Sequence, residues 1–166
     1  MQHQISKNMT KVKIQEIEKT EKAGLFTICF EGSDDTEFEK FVMKFKDDAE
    51  RKQDLQVILN AIQKMLSAIG FLERYFRPEG KMYDHVVALP IERGKLRLYC
   101  LRMSDSVLIV GNGGAKKSRT YNEDANLNGY VITLQKLDAL LKDAMKKGIV
   151  SIEETNITGT ENYFEL

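Results

Sequence analysis

KLRLYCLRMSDSVLIVGNGGAKKSRTY, residues 95–121, decides how the fold is read. Side chains alternate from Lys95 to Arg102: Leu96, Leu98 and Cys100 fall on one face, and Lys95, Arg97 and Tyr99 on the other. Ser104-Asp105 is a turn signal. Ser106 to Val110 is a short apolar run suited to a central strand. Gly111-Asn112-Gly113-Gly114 is expected to bend the backbone sharply, and Lys116, Lys117 and Arg119 follow within four positions. The expectation is that these cations and those of the first strand meet on one sheet face and bind phosphate.

Upstream, Tyr83 to Ile91 reads as a further strand, with Pro90 marking an edge or the strand's end. Arg77-Pro78-Glu79-Gly80 reads as a turn before it, and Glu92-Arg93-Gly94 as a turn after it. Three strands joined by short turns predict an antiparallel meander. Earlier still, Phe38, Phe41, Val42 and Phe45 repeat at helical spacing after an acidic helix start at Gly32-Ser33-Asp34-Asp35. A longer helix is predicted over Ala49–Ile69, stopped by Gly70. Residues 9–31 predict a hairpin, with Lys11–Glu18 and Leu25–Phe30 as its strands. Downstream, Val131, Leu134, Leu137, Leu140, Leu141 and Met145 mark a helix reaching about Lys147. Residues 149–166 form an acidic tail that either pairs as an edge strand or stays loose. The fold class expected is α+β in a single domain spanning 1–166: two helices packed on a meander, an N-terminal hairpin and a C-terminal helix.

Net charge is zero, which by itself argues against a nucleic-acid binder. The charges are nevertheless segregated. Residues 1–79 carry −1, residues 80–148 carry +5 from 12 basic and 7 acidic side chains, and residues 149–166 carry −4. The surplus of cations lies in the segment quoted above, and the tail's four carboxylates are placed to mask it. No apolar run approaches 20 residues, so no membrane helix is expected, and no secretory leader pattern opens the chain. Cys29 and Cys100 read as two reduced core thiols, and a cytoplasmic location is expected. The two His and two Cys lie far apart in sequence, so no metal site and no cofactor is expected. GNGGAKKS lacks the spacing of a P-loop.

Two helices followed by a meander with a basic rim, over about Asp35 to Lys147, resemble the RelE/HigB toxin superfamily, and its phage-derived HigB-like branch more closely. The piece that carries the resemblance is KLRLYCLR…VLIVGNGGAKKSR: an arginine-bearing strand, an apolar strand, a small-residue turn and paired lysines. The resemblance implies the toxin of a type II toxin–antitoxin pair, a metal-independent endoribonuclease cutting mRNA on the ribosome and neutralised by an antitoxin protein. It implies that Arg97 grips the scissile phosphate and that Lys116 or Lys117 acts as base or charge stabiliser. Arg119 would contact the leaving group or backbone, and Tyr121 would stack a base or move a proton. Lys95, Tyr99 and Arg102 would extend the RNA contact. His85 is a further candidate, with a surface or hydrogen-bonded histidine as the plain alternative. The chain departs from the pattern in its hairpin and its acidic tail, since such toxins are generally smaller and more basic. A relative that inhibits a protein target, as gyrase-directed members do, or a binding module that keeps only the fold, are the competing expectations.

Overall fold

The computed structural model describes residues 10–81, 83–91, 94–116 and 125–166. The described strands are β1 (Lys11–Lys19), β2 (Gly24–Phe30), β3 (Arg77–Pro78), β4 (Val86–Leu89), β5 (Leu96–Ser104), β6 (Val107–Ala115), β7 (Ser151–Glu153), β8 (Asn156–Thr158) and β9 (Phe164–Glu165). The α-helices are α1 (Glu37–Phe45), α2 (Lys52–Lys64) and α3 (Ala125–Lys146). Seven strands form one sheet in the order β3-β4-β5-β6-β2-β1-β9, while β7 and β8 pair separately. The class is α+β, with antiparallel pairings except between β2 and β6, which run parallel with Gly24 opposite Val107 and Thr27 opposite Val110.

The expected hairpin and meander both form: β1 pairs with β2, and β4, β5 and β6 pair in succession. What the pattern left open is that both belong to one sheet. Ser106 to Val110 lies at the junction, and its continuous apolar character has a direct cause. Leu108 and Val110 pack with Phe41, Ile58 and Leu66 on one face, while Val107 and Ile109 pack with Val131, Leu134 and Leu141 on the other. Helices cover both faces, so the strand is apolar on both. Thr27 pins the junction. Its hydroxyl donates to the Val110 carbonyl at 2.7 Å and accepts from the Phe38 amide at 3.3 Å.

Helix α1 begins one residue beyond the expected acidic start. Thr36 accepts from the Glu39 amide at 3.1 Å while Glu39 accepts from the Thr36 amide at 2.8 Å, a reciprocal cap. Phe41 and Phe45 are buried and meet edge-on, 5.5 Å between centroids. The helix expected over Ala49–Ile69 is shorter at its start. Asp48 instead accepts from the Glu50 and Arg51 amides, and α2 begins at Lys52. Met65–Ile69 continues as a π-helical turn closed by Gly70 at φ +90°.

Two expectations about the quoted stretch and its neighbours change. Gly111–Gly114 is strand, not turn: β6 runs on to Ala115, and the register against β5 slips between Leu98 and Cys100. The slip is a bulge that absorbs the glycines without ending the strand. Gly113 is required there, since a Cβ would lie 1.8 Å from the Arg97 carbonyl oxygen. Arg77-Pro78, read as part of a turn, pairs with Val87 and Ala88 as a short edge strand. The tail does pair. Phe164 and Glu165 join β1 at the sheet edge opposite β3, while Val150 and Ile157 enter the core under α3. That strand order sets β9, with Glu165, four strands from β5.

Candidate functional site

Strand register decides which side chains share the α3 face. Arg77 sits opposite Ala88, and the Glu79 amide donates to the Val86 carbonyl at 3.2 Å, so Glu79 extends β3 with Arg77 and Glu79 on the same face. Val86, Ala88, Tyr99 and Leu101 are core residues of that face. Arg97, two residues before Tyr99, joins them. Lys116 closes the end of β6, its amide donating to the Lys95 carbonyl at 2.6 Å. β3 with its extension, β5 and the end of β6 thereby bring Arg77, Glu79, Arg97 and Lys116 into electrostatic reach of one another.

Burial pushes the Glu79 carboxyl above its ordinary value, against the downward pull of Lys116, Arg97 and Arg77. Burial lowers the Arg97 guanidinium, and Arg77 lowers it further, while Tyr99 and Glu79 act the other way. Arg97 is 6% exposed. Its Nη1 donates to the Gly94 carbonyl at 2.7 Å and the Leu96 carbonyl at 2.9 Å, and its Nε has no hydrogen-bond partner. Arg77 Nε donates to the Pro90 carbonyl at 2.9 Å. The result is a half-buried carboxyl among three cations. It is suited to holding an anion and moving a proton.

The other expected residues fall in different places. Tyr99, expected to touch RNA, is 1% exposed and packs in the core, because α3 covers the face that the alternation alone would leave wet. Arg102 is tied at the other end of β5, donating to the Phe71 carbonyl at 3.1 Å and to Asp105 at 2.9 Å. Lys95 is exposed, with its amide donating to Asp54 of α2 at 3.3 Å. Lys117, Arg119 and Tyr121 lie outside the described residues.

His85 is hydrogen-bonded. Its Nδ1 lies 2.7 Å from Asp138 Oδ1, and its amide donates to Oδ2 at 3.0 Å. Asp138 is 1% exposed, with Lys142 Nζ at 3.4 Å. Burial tends to raise that carboxyl, but the two hydrogen bonds from His85 and the charges of His85 and Lys142 hold it below its ordinary value.

Arg77, Glu79 and Asp138 were missed by pattern reading. For Asp138 the signal was present: it interrupts the apolar stripe Leu134, Leu137, Leu141 at helical spacing. Arg77 and Glu79 carried none beyond two charges flanking a proline. Among the described residues no group of three or more His, Cys, Asp or Glu is placed to hold a metal ion, and no helix is long and apolar enough to cross a membrane. Cys29 and Cys100 are both free thiols.

No family model, curated protein or solved structure matches the chain. The fold and the site by themselves define an α+β protein with a mixed seven-stranded sheet and a charged cluster at one side of it.

Proposed function

We propose that the chain is a toxin of the RelE/HigB type, a metal-independent endoribonuclease that cuts mRNA on the ribosome and is held in check by an antitoxin. The observation that carries this reading is the gathering of Arg77, Glu79, Arg97 and Lys116 from two strands and a strand end onto one face. Cleavage by the 2′-hydroxyl needs a proton acceptor, a cationic surround for the phosphate and a donor for the leaving 5′-oxygen. Glu79, whose carboxyl burial raises above its ordinary value, serves the first need. Arg77 serves the second, with Arg97 held by neighbouring carbonyls, and the Lys116 ammonium serves both the second and the third. A cytoplasmic site of action belongs to this reading.

The test is expression in a bacterial host with mapping of mRNA ends. Growth arrest with cut mRNA is expected, with cleavage lost in Glu79→Gln and Lys116→Ala. Intact mRNA under arrest would replace the ribonuclease with an inhibitor of a protein target. Absence of arrest would leave a binding module. One observation favours these non-catalytic readings: Arg97 is 6% exposed and its Nη1 is turned to the Gly94 and Leu96 carbonyls.

A further inference from the structure

A cleft of about 280 Å³ opens just beyond the last β2–β6 pair, Thr27 and Val110, beside Gly111 and Asn112 of β6. The chain leaves β2 for α1 on one face of the sheet and leaves β6 for α3 on the other. Such a reversal beyond the carboxyl ends of parallel strands is the usual place for a ligand in open sheets. Its walls are apolar, with Ile28 and Phe30 from β2 and Leu134 from α3. A Cβ at Gly111 would press on the Tyr99 carbonyl oxygen at 3.2 Å and on Leu134 at 3.3 Å, whereas a Cβ at Gly129 would meet nothing within 4 Å.

Among the described residues one charged group lines this cleft, the carboxylate of Glu37, a residue 6% exposed. It is held from two sides. Oε1 accepts from Asn112 Nδ2 at 3.2 Å, and Asn112 cannot turn because its Oδ1 accepts from the Gly113 amide at 2.7 Å. Oε2 lies 2.9 Å from Lys40 Nζ, yet the geometry gives it no hydrogen bond. A carboxylate oxygen can accept two hydrogen bonds. This pair therefore retains acceptor capacity inside an apolar slot, and Lys40, 37% exposed, is what covers Oε2.

We infer that this cleft binds a guanine nucleotide, with the base between the apolar walls and its N1–H and 2-amino donors on Glu37. The volume and the Ile28, Phe30 and Leu134 side chains suit one aromatic ring system. The carboxylate calls for two adjacent N–H donors on one edge, and among the common bases guanine offers that pair. Adenine and cytosine set a ring acceptor beside their amino group, and uracil flanks its single N–H with carbonyls. A phosphate at the rim draws the Lys40 ammonium outward, and that movement uncovers Oε2 for the second donor. The guanine can come from a free nucleotide or from RNA. The RNA source rests on the function proposed above, and the free nucleotide does not.

Equilibrium dialysis of the full chain against GMP, IMP, AMP and guanosine tests the assignment. GMP is expected to bind, IMP more weakly for want of the 2-amino group, and AMP at least about tenfold more weakly than GMP. Lys40→Ala should weaken GMP but not guanosine, and Glu37→Gln should remove the preference for GMP over AMP. Gly129→Leu fills the cleft from a helical position where leucine is a better helix former than glycine. It should abolish GMP binding without lowering the thermal midpoint. Equal binding of GMP and AMP, no binding of GMP, or full binding by Gly129→Leu would each overturn the assignment. Oligonucleotides carrying a single guanine separate the two readings. RNA cut without regard to guanine by a protein that ignores GMP removes this site and leaves the ribonuclease. GMP binding by a protein that leaves RNA intact does the reverse.

Discussion

Two carboxyls lie toward the α3 face of the sheet, each among cations, and their environments push them in opposite directions. Asp138 is almost wholly buried and stays ionised below its ordinary value, because an imidazole and a backbone amide of His85 donate to it directly. Glu79 has three cations in range, and burial still raises it. The difference teaches that a directed hydrogen bond offsets desolvation where diffuse positive charge does not. Asp138 reads accordingly as a clamp joining α3 to the start of β4. Glu79 reads as a group free to exchange a proton. Pairs of carboxyls pushed apart in this way are how one protein separates structural from chemical roles.

Removing the clamp should break the comparison most severely. Asp138→Ala strands the His85 amide and imidazole, and chemical denaturation should show a loss of roughly 3 kcal/mol. The sign of its pH dependence follows from the depressed carboxyl. The clamp's full contribution is present above the unfolded value of about 3.9 and is lost as pH falls through the lower folded value. Urea midpoints taken from neutral to acid pH should therefore converge between wild type and Asp138→Ala. A constant gap would show that Asp138 acts through packing alone.

A smaller loss is expected at the other carboxyl's supporting strand. Gly113→Ala sets a methyl against the Arg97 carbonyl, and β5 and β6 must separate to admit it. The cost should be about 2 kcal/mol, and on the proposed ribonuclease reading cleavage of RNA should fall together with stability because Arg97 and Lys116 shift apart. Activity retained at full stability would mean the bulge does not set the site.

The smallest effect on stability, and the sharpest contrast, belongs to Glu79→Gln. A carboxyl raised by burial opposes folding once ionised, so its contribution falls as pH rises through the window above the unfolded value. The amide should match wild type near pH 4 and equal or exceed it at pH 7, by less than about 1 kcal/mol. A marked loss of stability at neutral pH would make Glu79 a second clamp and remove the reason to read it as a proton carrier.

Much of this layout was legible in residues 95–121. The alternation of Leu96, Leu98 and Cys100 against Arg97 and Tyr99 is the division between the two cores. The spacing of Phe38, Phe41, Val42 and Phe45 is the buried face of α1. What stayed hidden was which face meets water. Tyr99 alternates with apolar residues as a solvent-facing side chain would, and only the arrival of α3 from beyond residue 124 puts it in the core. The cluster around Glu79 was illegible for a similar reason: residues 77, 79, 97 and 116 share no local period.

The sequence by itself determined the elements: hairpin, two helices, meander, long helix. Side-chain periodicity is set by backbone geometry within one segment, so it can be read without knowing where the segment packs. Tertiary structure alone decided that β2 runs parallel beside β6, that both sheet faces are covered and that Glu79 and Asp138 differ. Those outcomes depend on contacts between residues tens of positions apart, and on a dielectric that exists only once the chain has closed around them.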